Sequence, residues 1–174
     1  MALAVCLLFD DRSARAVRQL WDRLEGLGVP TLRTHTHGRH VPHLSYATLR
    51  TWELRSVTAA VGALPDGGPV RLRFDGLGTF RRGRAWLAPA VTTELLRRQE
   101  RVIDAVTAAD GELHQHYRPG VWTPHCTLAP RVRLAALPTL AAAVYDVLPL
   151  HVYADRGALV DASTGRIYPL PSVP

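Results

Sequence analysis

Lysine and asparagine are absent from this chain. Cysteine occurs twice, methionine once, and isoleucine only as Ile103 and Ile167. All 21 cationic side chains are therefore arginine. With alanine abundant as well, this reads as a coding bias toward Arg, Ala, Val, Gly and Pro rather than a demand for guanidinium chemistry. Cys6 and Cys126 are too few to frame a disulfide-held fold in 174 residues. No apolar run approaches the roughly 18 residues that a membrane-spanning helix requires. The N-terminal apolar run, Ala2 to Phe9, is short, lacks a basic leader and is followed by Asp10 and Asp11, the reverse of a signal peptide's charge order. The expectation is a soluble cytoplasmic monomer with no membrane partner.

What is present suits a folded chain. Hydrophobic residues make up 47% of the sequence, enough to bury a sizeable core and to exclude a largely disordered chain. The length fits one domain, residues 1–174, or two small lobes sharing a core. The net charge of +6 permits an anionic partner such as phosphate or nucleic acid, but it speaks to binding and not to fold.

Ala2 to Phe9 reads as a buried strand. Val17, Leu20, Trp21 and Leu24 follow at helical spacing, with Ser13 as the expected cap and Gly26 and Gly28 as the stop. Residues 31 to 40 are polar and rich in histidine, as in a loop. Val41 to Leu49 reads as a strand, and Thr51 as the cap of a short helix carrying Leu54, Val57 and Val61. Val70, Leu72 and Phe74 alternate with Arg71, Arg73 and Asp75, the pattern of a half-buried strand. A turn over Arg81 to Arg84 precedes a strand at Ala85 to Ala88. Thr92 or Thr93 opens a longer helix ending near Gly111. Val121 to Ala129 reads as a strand, and Pro138 suits the first turn of a helix. Strands are expected at Leu150 to Ala154 and Ala158 to Asp161, with a last extended piece at Ile167 to Leu170. Strands and helices intermix without regular alternation, which predicts an α+β fold with mostly antiparallel sheets.

The most informative feature is a repeat. Val41-Pro-His-Leu-Ser-Tyr-Ala47 recurs, about half a chain later, as Thr123-Pro-His-Cys-Thr-Leu-Ala129. Such spacing predicts two similar lobes related by an approximate two-fold axis. On a strand, side chains alternate between faces, so His43 and Ser45 share one face and His125 and Thr127 share another. Cys126 points the other way and is not a nucleophile candidate. If the apolar faces line the core, two imidazoles and two hydroxyls meet across a groove. Phosphodiester cleavage needs one group to deprotonate the nucleophile and another to protonate the leaving oxygen. Imidazole titrates nearest neutral pH and suits both roles. The hydroxyls of Ser45 and Thr127 can donate to non-bridging phosphate oxygens. Neither a metal nor a cofactor is required.

With its paired His-x-Ser/Thr motifs, His43-Leu44-Ser45 and His125-Cys126-Thr127, the chain resembles the 2H phosphoesterase superfamily, which includes 2'-5' RNA ligase-like proteins and RNA cyclic phosphodiesterases. The resemblance spans nearly the whole chain and includes the strand ending in Leu77-Gly78-Thr79-Phe80. It implies a bilobal α+β fold, with antiparallel sheets of two pseudo-symmetric lobes lining a central groove. It also implies metal-independent opening of 2',3'-cyclic phosphates, with RNA or a nucleotide phosphoester as substrate. By analogy, His125 activates water and His43 protonates the leaving oxygen. Relatives often carry a basic residue two positions after the second motif. Here Pro130 displaces it to Arg131, the candidate phosphate contact.

Other residues are weighed beside this core. His37 and His40 could touch a phosphate from the groove edge, and Tyr153, in phase with His151 and Asp155, could stack on a base. Arg81, Arg82 and Arg84 could reach an RNA backbone, although a solvated turn is the plainer reading. Trp21 and Trp122 read as core. Two alternative functions follow from these features. One is an RNA-binding module without turnover. The other is a metalloprotein built on His35, His37 and His40 or on His114 and His116. No Asp or Glu lies between residues 26 and 52, so a mixed ligand set is missing locally.

Overall fold

The computed structural model describes residues 2–174. In chain order the elements are β1 (Leu3–Phe9), α1 (Asp11–Gly26), β2 (His43–Thr51), α2 (Leu54–Gly62), β3 (Val70–Thr79), β4 (Ala85–Pro89), α3 (Thr93–Ala108), β5 (Glu112–Leu113), β6 (Cys126–Ala129), α4 (Leu137–Tyr145), β7 (Leu150–Asp161) and β8 (Ile167–Pro169). The fold is α+β. Every strand pair among the described residues is antiparallel.

All eight strands join one ladder in the order β5-β2-β1-β7-β3-β4-β6, with β8 also on β7. The two sheets implied by the resemblance are two halves of this ladder, and β7 is what they share. Its first half, Leu150 to Ala154, pairs with β3, and its second half pairs with β1. The sequence suggested two strands here because Asp155, Arg156 and Gly157 interrupt the apolar pattern. The pairing shifts register at that point, between Leu8 and Phe9 of β1, and the strand runs on through a bulge.

Leu3, Val5, Leu7 and Phe9 of β1 face the core, while Ala4, Cys6 and Leu8 lie on the opposite face. The core face is covered by helices: α1 packs on β1, β7 and α4, α4 on β3, and α3 on β2, β5 and α2. Two caps differ from expectation. The Asp10 carboxylate, one turn upstream of Ser13, accepts the Ser13 N–H at 2.7 Å and caps α1. The buried Ser13 hydroxyl also bonds the Asp10 carboxylate and accepts the Tyr153 N–H at 2.9 Å, tying the helix to β7. Glu53, not Thr51, caps α2 by accepting from the N–H groups of Arg55 and Ser56. Thr92 caps α3 as anticipated.

Candidate active site

The two motifs fold alike in detail. Pro42 and Pro124 are both buried, and proline keeps the residue before it, Val41 or Thr123, extended. In each motif this turns the carbonyl two residues upstream onto the imidazole. His43 Nδ1 lies 2.7 Å from the Val41 oxygen, and His125 Nδ1 lies 2.7 Å from the Thr123 oxygen. A carbonyl can only accept, so Nδ1 carries the proton in both rings. The neutral rings therefore present Nε2 as a lone pair.

A second shared device follows each motif. Between β1 and β2 the register steps from Val5↔Ala47 to Cys6↔Ser45, leaving Tyr46 as an extra residue. Between β4 and β6 it steps from Ala85↔Ala129 to Trp86↔Thr127, leaving Leu128 extra. Without these bulges, strict alternation would send Ala47, Leu49 and Ala129 to the same face as the histidines. The bulge reverses the phase, and all three are fully buried. Burying Leu49 alone is worth about 1.5–3 kcal/mol, more than enough to offset one interrupted ladder bond of about 0.5–1.5 kcal/mol.

The motif strands are joined directly. The Trp122 indole donates to the Ser45 carbonyl at 3.1 Å, and the Cys126 thiol takes a hydrogen bond from the His43 backbone. Trp122 is thus half-buried and packed on the core, but it precedes β6, which is shorter than the Val121 to Ala129 expected. Burial holds the His43 imidazole below its ordinary range, against the pull of the Val41 carbonyl. Burial pushes His125 down to about 4, with the charges of His43 and Arg84 adding to the effect. The two imidazoles therefore sit within electrostatic reach of each other. Cys6 and Cys126 are both buried, and desolvation raises each thiol to about 12, so both are inert.

The hydroxyls are placed differently. Ser45 is 8% exposed, with Oγ 3.4 Å from Cys6 Sγ. Tyr117 completes this corner. Burial raises its phenol, and hydrogen bonds with Thr48 and Ser45 oppose the shift. The buried Gln99 of α3 donates to the Tyr117 carbonyl at 3.0 Å and to that of Tyr46, the bulge residue. Thr127 is half-buried opposite Trp86.

Around His125, Phe80 stands edge-on at 5.0 Å between centroids and Trp86 lies at 5.7 Å. Gly78 makes room for Trp86, because a Cβ there would lie 2.2 Å from the indole. Arg84, two residues before Trp86 in the same strand direction, shares its face. Its charge also holds down His35 and His114, after burial in each case. Arg84 stands near the second motif rather than only in a solvated turn, and its alternation with Ala85 and Trp86 was the available signal. Tyr117, Gln99 and Cys6 carry no comparable signal, because their partners come from distant segments.

The remaining candidates fall into two groups. His40, pushed down to about 4 chiefly by burial, also feels the charges of His37, His35 and His43, so the 31–40 loop borders the first motif. The rings of His37 and His40 are 4.2 Å apart, and His37 also lies against Gly165 of the β7–β8 turn. Arg131 is exposed and acts on His35. Tyr153 stays apart, 38% exposed and opposite Arg71, two strands from β2. Among the described residues, no group of three or more His, Cys, Asp or Glu is arranged to hold a metal. In the His35–His40 loop, the Thr36 hydroxyl engages His40 Nε2 and the Arg39 N–H engages His37 Nδ1. No helix is long and apolar enough to cross a membrane among the described residues.

No curated protein matches the sequence. Solved structures share the fold. One described as a phosphoesterase has a TM-score of 0.58 at 15% identity, covering 97% of this chain and 94% of its own. LigT of E. coli, solved with ATP, gives 0.57 at 14%, covering 97% and 93%. Usb1 of Kluyveromyces marxianus, solved with uridine monophosphate, gives 0.52 at 13%, covering 98% and 97%. The family model of the 2'-5' RNA ligase superfamily matches residues 9–166, nearly the whole chain. With its paired His-x-Ser/Thr motifs on this shared fold, the chain belongs to the 2'-5' RNA ligase superfamily of 2H phosphoesterases.

Proposed function

We propose that this chain opens 2',3'-cyclic phosphates of RNA ends or nucleotides by two-histidine acid–base catalysis. The observation that carries the reading is the matched imidazole pair, each with Nδ1 held 2.7 Å from the carbonyl two residues upstream and Nε2 left free. The relatives solved with ATP, 3'-AMP and uridine monophosphate support a nucleotide-sized phosphoester as substrate.

In the free protein both rings are neutral near pH 7, since burial lowers both. A bound phosphate anion raises them. His43 gains the proton first, while His125, held down by burial and by the charges of His43 and Arg84, stays neutral. His125 Nε2 then takes a proton from water as the water oxygen attacks phosphorus. The bond from phosphorus to the ribose 3'-oxygen breaks, His43 protonates that oxygen, and a 2'-phosphate remains. Thr127 and Ser45 donate to the non-bridging oxygens where charge accumulates. With an RNA 5'-hydroxyl in place of water, the same steps form a 2'-5' linkage. Two imidazoles and two hydroxyls supply every proton transfer and hydrogen bond, so the proposed reaction runs in EDTA.

The test is turnover of 2',3'-cyclic nucleotides and cyclic-phosphate-ended RNA in EDTA by wild type, His43→Ala and His125→Ala. Turnover to the 2'-phosphate by wild type alone supports the assignment. Equal activity in all three sinks it. RNA binding with no product from any of them favours a binding module instead.

A further inference from the structure

The hydroxyls of the two motifs differ in what stands behind them. We infer that Tyr117 is a positioning residue for Ser45: its phenol, fixed behind the serine, turns the Ser45 proton outward onto a non-bridging oxygen of the reacting phosphate. The inference rests on the cyclic-phosphate reading above and names the device that preorganises one of its hydrogen-bond donors.

Strand register is the first observation. Cys6 pairs with Ser45 and Ala4 with Thr48, and the bulge at Tyr46 lies between them. Ala4 and Cys6 alternate onto one face of β1, so Ser45 and Thr48 share a face of β2. Without the bulge, Thr48 would point away from Ser45. The Tyr117 phenol occupies the position this creates, with hydrogen bonds to both Thr48 and Ser45.

Anchoring is the second. The segment that carries Tyr117 runs from β5 to the second motif and is fastened to β2 along the way. Leu113 pairs with Leu49, the His114 N–H donates to the Thr48 carbonyl at 2.8 Å, and the Trp122 indole donates to the Ser45 carbonyl at 3.1 Å. Gln99, 3% exposed, reaches from α3 to the Tyr117 carbonyl and to the carbonyl of the bulge residue Tyr46. One buried amide thus ties the backbone behind the phenol to the bulge that spaces its two partners. A side chain held at this many points keeps its orientation while charge develops, which is what preorganisation requires.

The third is a count of protons and lone pairs. Burial keeps the Cys6 thiol and the Tyr117 phenol protonated. The Ser45 oxygen has two lone pairs and one proton. Cys6 Sγ lies 3.4 Å from Ser45 Oγ, and sulfur is the weaker acceptor of the two, so the thiol donates to the serine. The phenol donates to the second lone pair, and its own oxygen accepts from Thr48. The Ser45 proton is then left without an acceptor in this corner. A phosphate oxygen in the groove is charged and accepts more strongly than a neutral hydroxyl. It therefore aligns the chain from Thr48 through Tyr117 to Ser45 in one direction, each bond polarising the next. Thr127, half-buried opposite Trp86, has no such chain behind it among the described residues.

The experiment measures kcat and KM on cytidine 2',3'-cyclic phosphate for Tyr117→Phe in three backgrounds: wild type, Ser45→Ala and Thr127→Val. In wild type and in Thr127→Val, losing the phenol hydroxyl should lower kcat about tenfold with KM changed by less than about twofold, because the oriented donor acts as charge accumulates. In Ser45→Ala it should change kcat by less than about twofold, since the residue it positions is gone. Thr48→Val removes the far end of the chain and should follow the same pattern with a loss of about threefold. It carries the same comparison if Tyr117→Phe lowers the melting temperature. An unchanged kcat on losing the hydroxyl, or an equal loss in all three backgrounds, overturns the inference, the latter because a packing defect does not depend on Ser45. If wild type opens no cyclic phosphate, the hydrolytic reading fails, and calorimetry with inorganic phosphate decides the positioning role. Binding weakened by Tyr117→Phe in wild type but not in Ser45→Ala sustains it, and equal dissociation constants across the variants overturn it.

Discussion

His43 and His125 make the same hydrogen bond at the same distance, and each is followed by the same bulge. Their surroundings differ. The first motif lies on β2, paired along the motif by β1 and by β5 only further on, at Leu49 and Thr51, and its Ser45 hydroxyl is buried against Cys6 and near Tyr117. The second lies on β6, paired by β4, while across its other edge Leu128 takes a single bond from the Leu32 N–H. Aromatic rings wall its histidine and an arginine opposes its charge. What is duplicated is the geometry that orients the proton-bearing atoms, and what differs is the environment that sets proton affinity. In the proposed reaction, an acid and a base drawn from the same residue type need that combination. Two identical surroundings would make them titrate alike.

Losing either imidazole should have the largest effect. His43→Ala and His125→Ala should each lower kcat by about 10²–10⁴, and the double variant should lose much less than the product of the two, because the pair acts in one step. Steady-state kinetics on a cyclic nucleotide checks this. A loss confined to one histidine would break the symmetry.

The hydroxyls come next and should sharpen the contrast. Thr127→Val should lower kcat by about 10- to 100-fold, below the 10²–10³ of a fully preorganised donor, with melting temperature unchanged. Ser45→Ala should lower both activity and stability, the latter by about 1 kcal/mol, because it strips a buried partner from Cys6. Equal thermal effects would show that the two corners are packed alike.

Gly78→Ala should act on the second motif alone. The added methyl collides with Trp86, and overpacking of this kind costs about 1–3 kcal/mol. Denaturant melts and the indole fluorescence spectrum report it. An unshifted spectrum would mean that Trp86 is not held by that glycine.

The pH dependence is the mildest test. With His125 near 4 and His43 also lowered, the kcat/KM optimum should lie below the ordinary imidazole value of about 6.5. An alkaline optimum would contradict both shifts. Stability should follow the same sign. The unfolded chain binds more protons at these histidines between about pH 6.5 and 4, so stability falls as pH drops through that window. His40→Gln should flatten the loss, as read by melting temperature against pH.

Much of this molecule is legible in its sequence. The apolar strand of β1, the helical spacing of Val17 to Leu24, the Thr92 cap and the alternation in β3 are local signals, and each produced the element expected. The Pro-His-x-Ser/Thr repeat is visible because a duplicated motif stands out without any neighbour. The elements that misled were those whose outcome depends on a partner. β7 continues through Asp155 to Gly157 because β1 holds it there, and β5 exists only because two residues find the edge of β2. Asp10, not Ser13, caps α1, and the Ser13 hydroxyl instead accepts from Tyr153 of distant β7.

By itself, then, the sequence determined the fold class, the family and the two motifs. Those properties follow from periodicity and repetition along the chain. Only the tertiary structure decided that a bulge after each motif returns Ala47 and Ala129 to the core. It alone set Arg84, Phe80 and Trp86 around His125 and Tyr117 beside Ser45. Burial and proximity shift a proton affinity, and both arise between segments far apart in the chain. No local pattern records them.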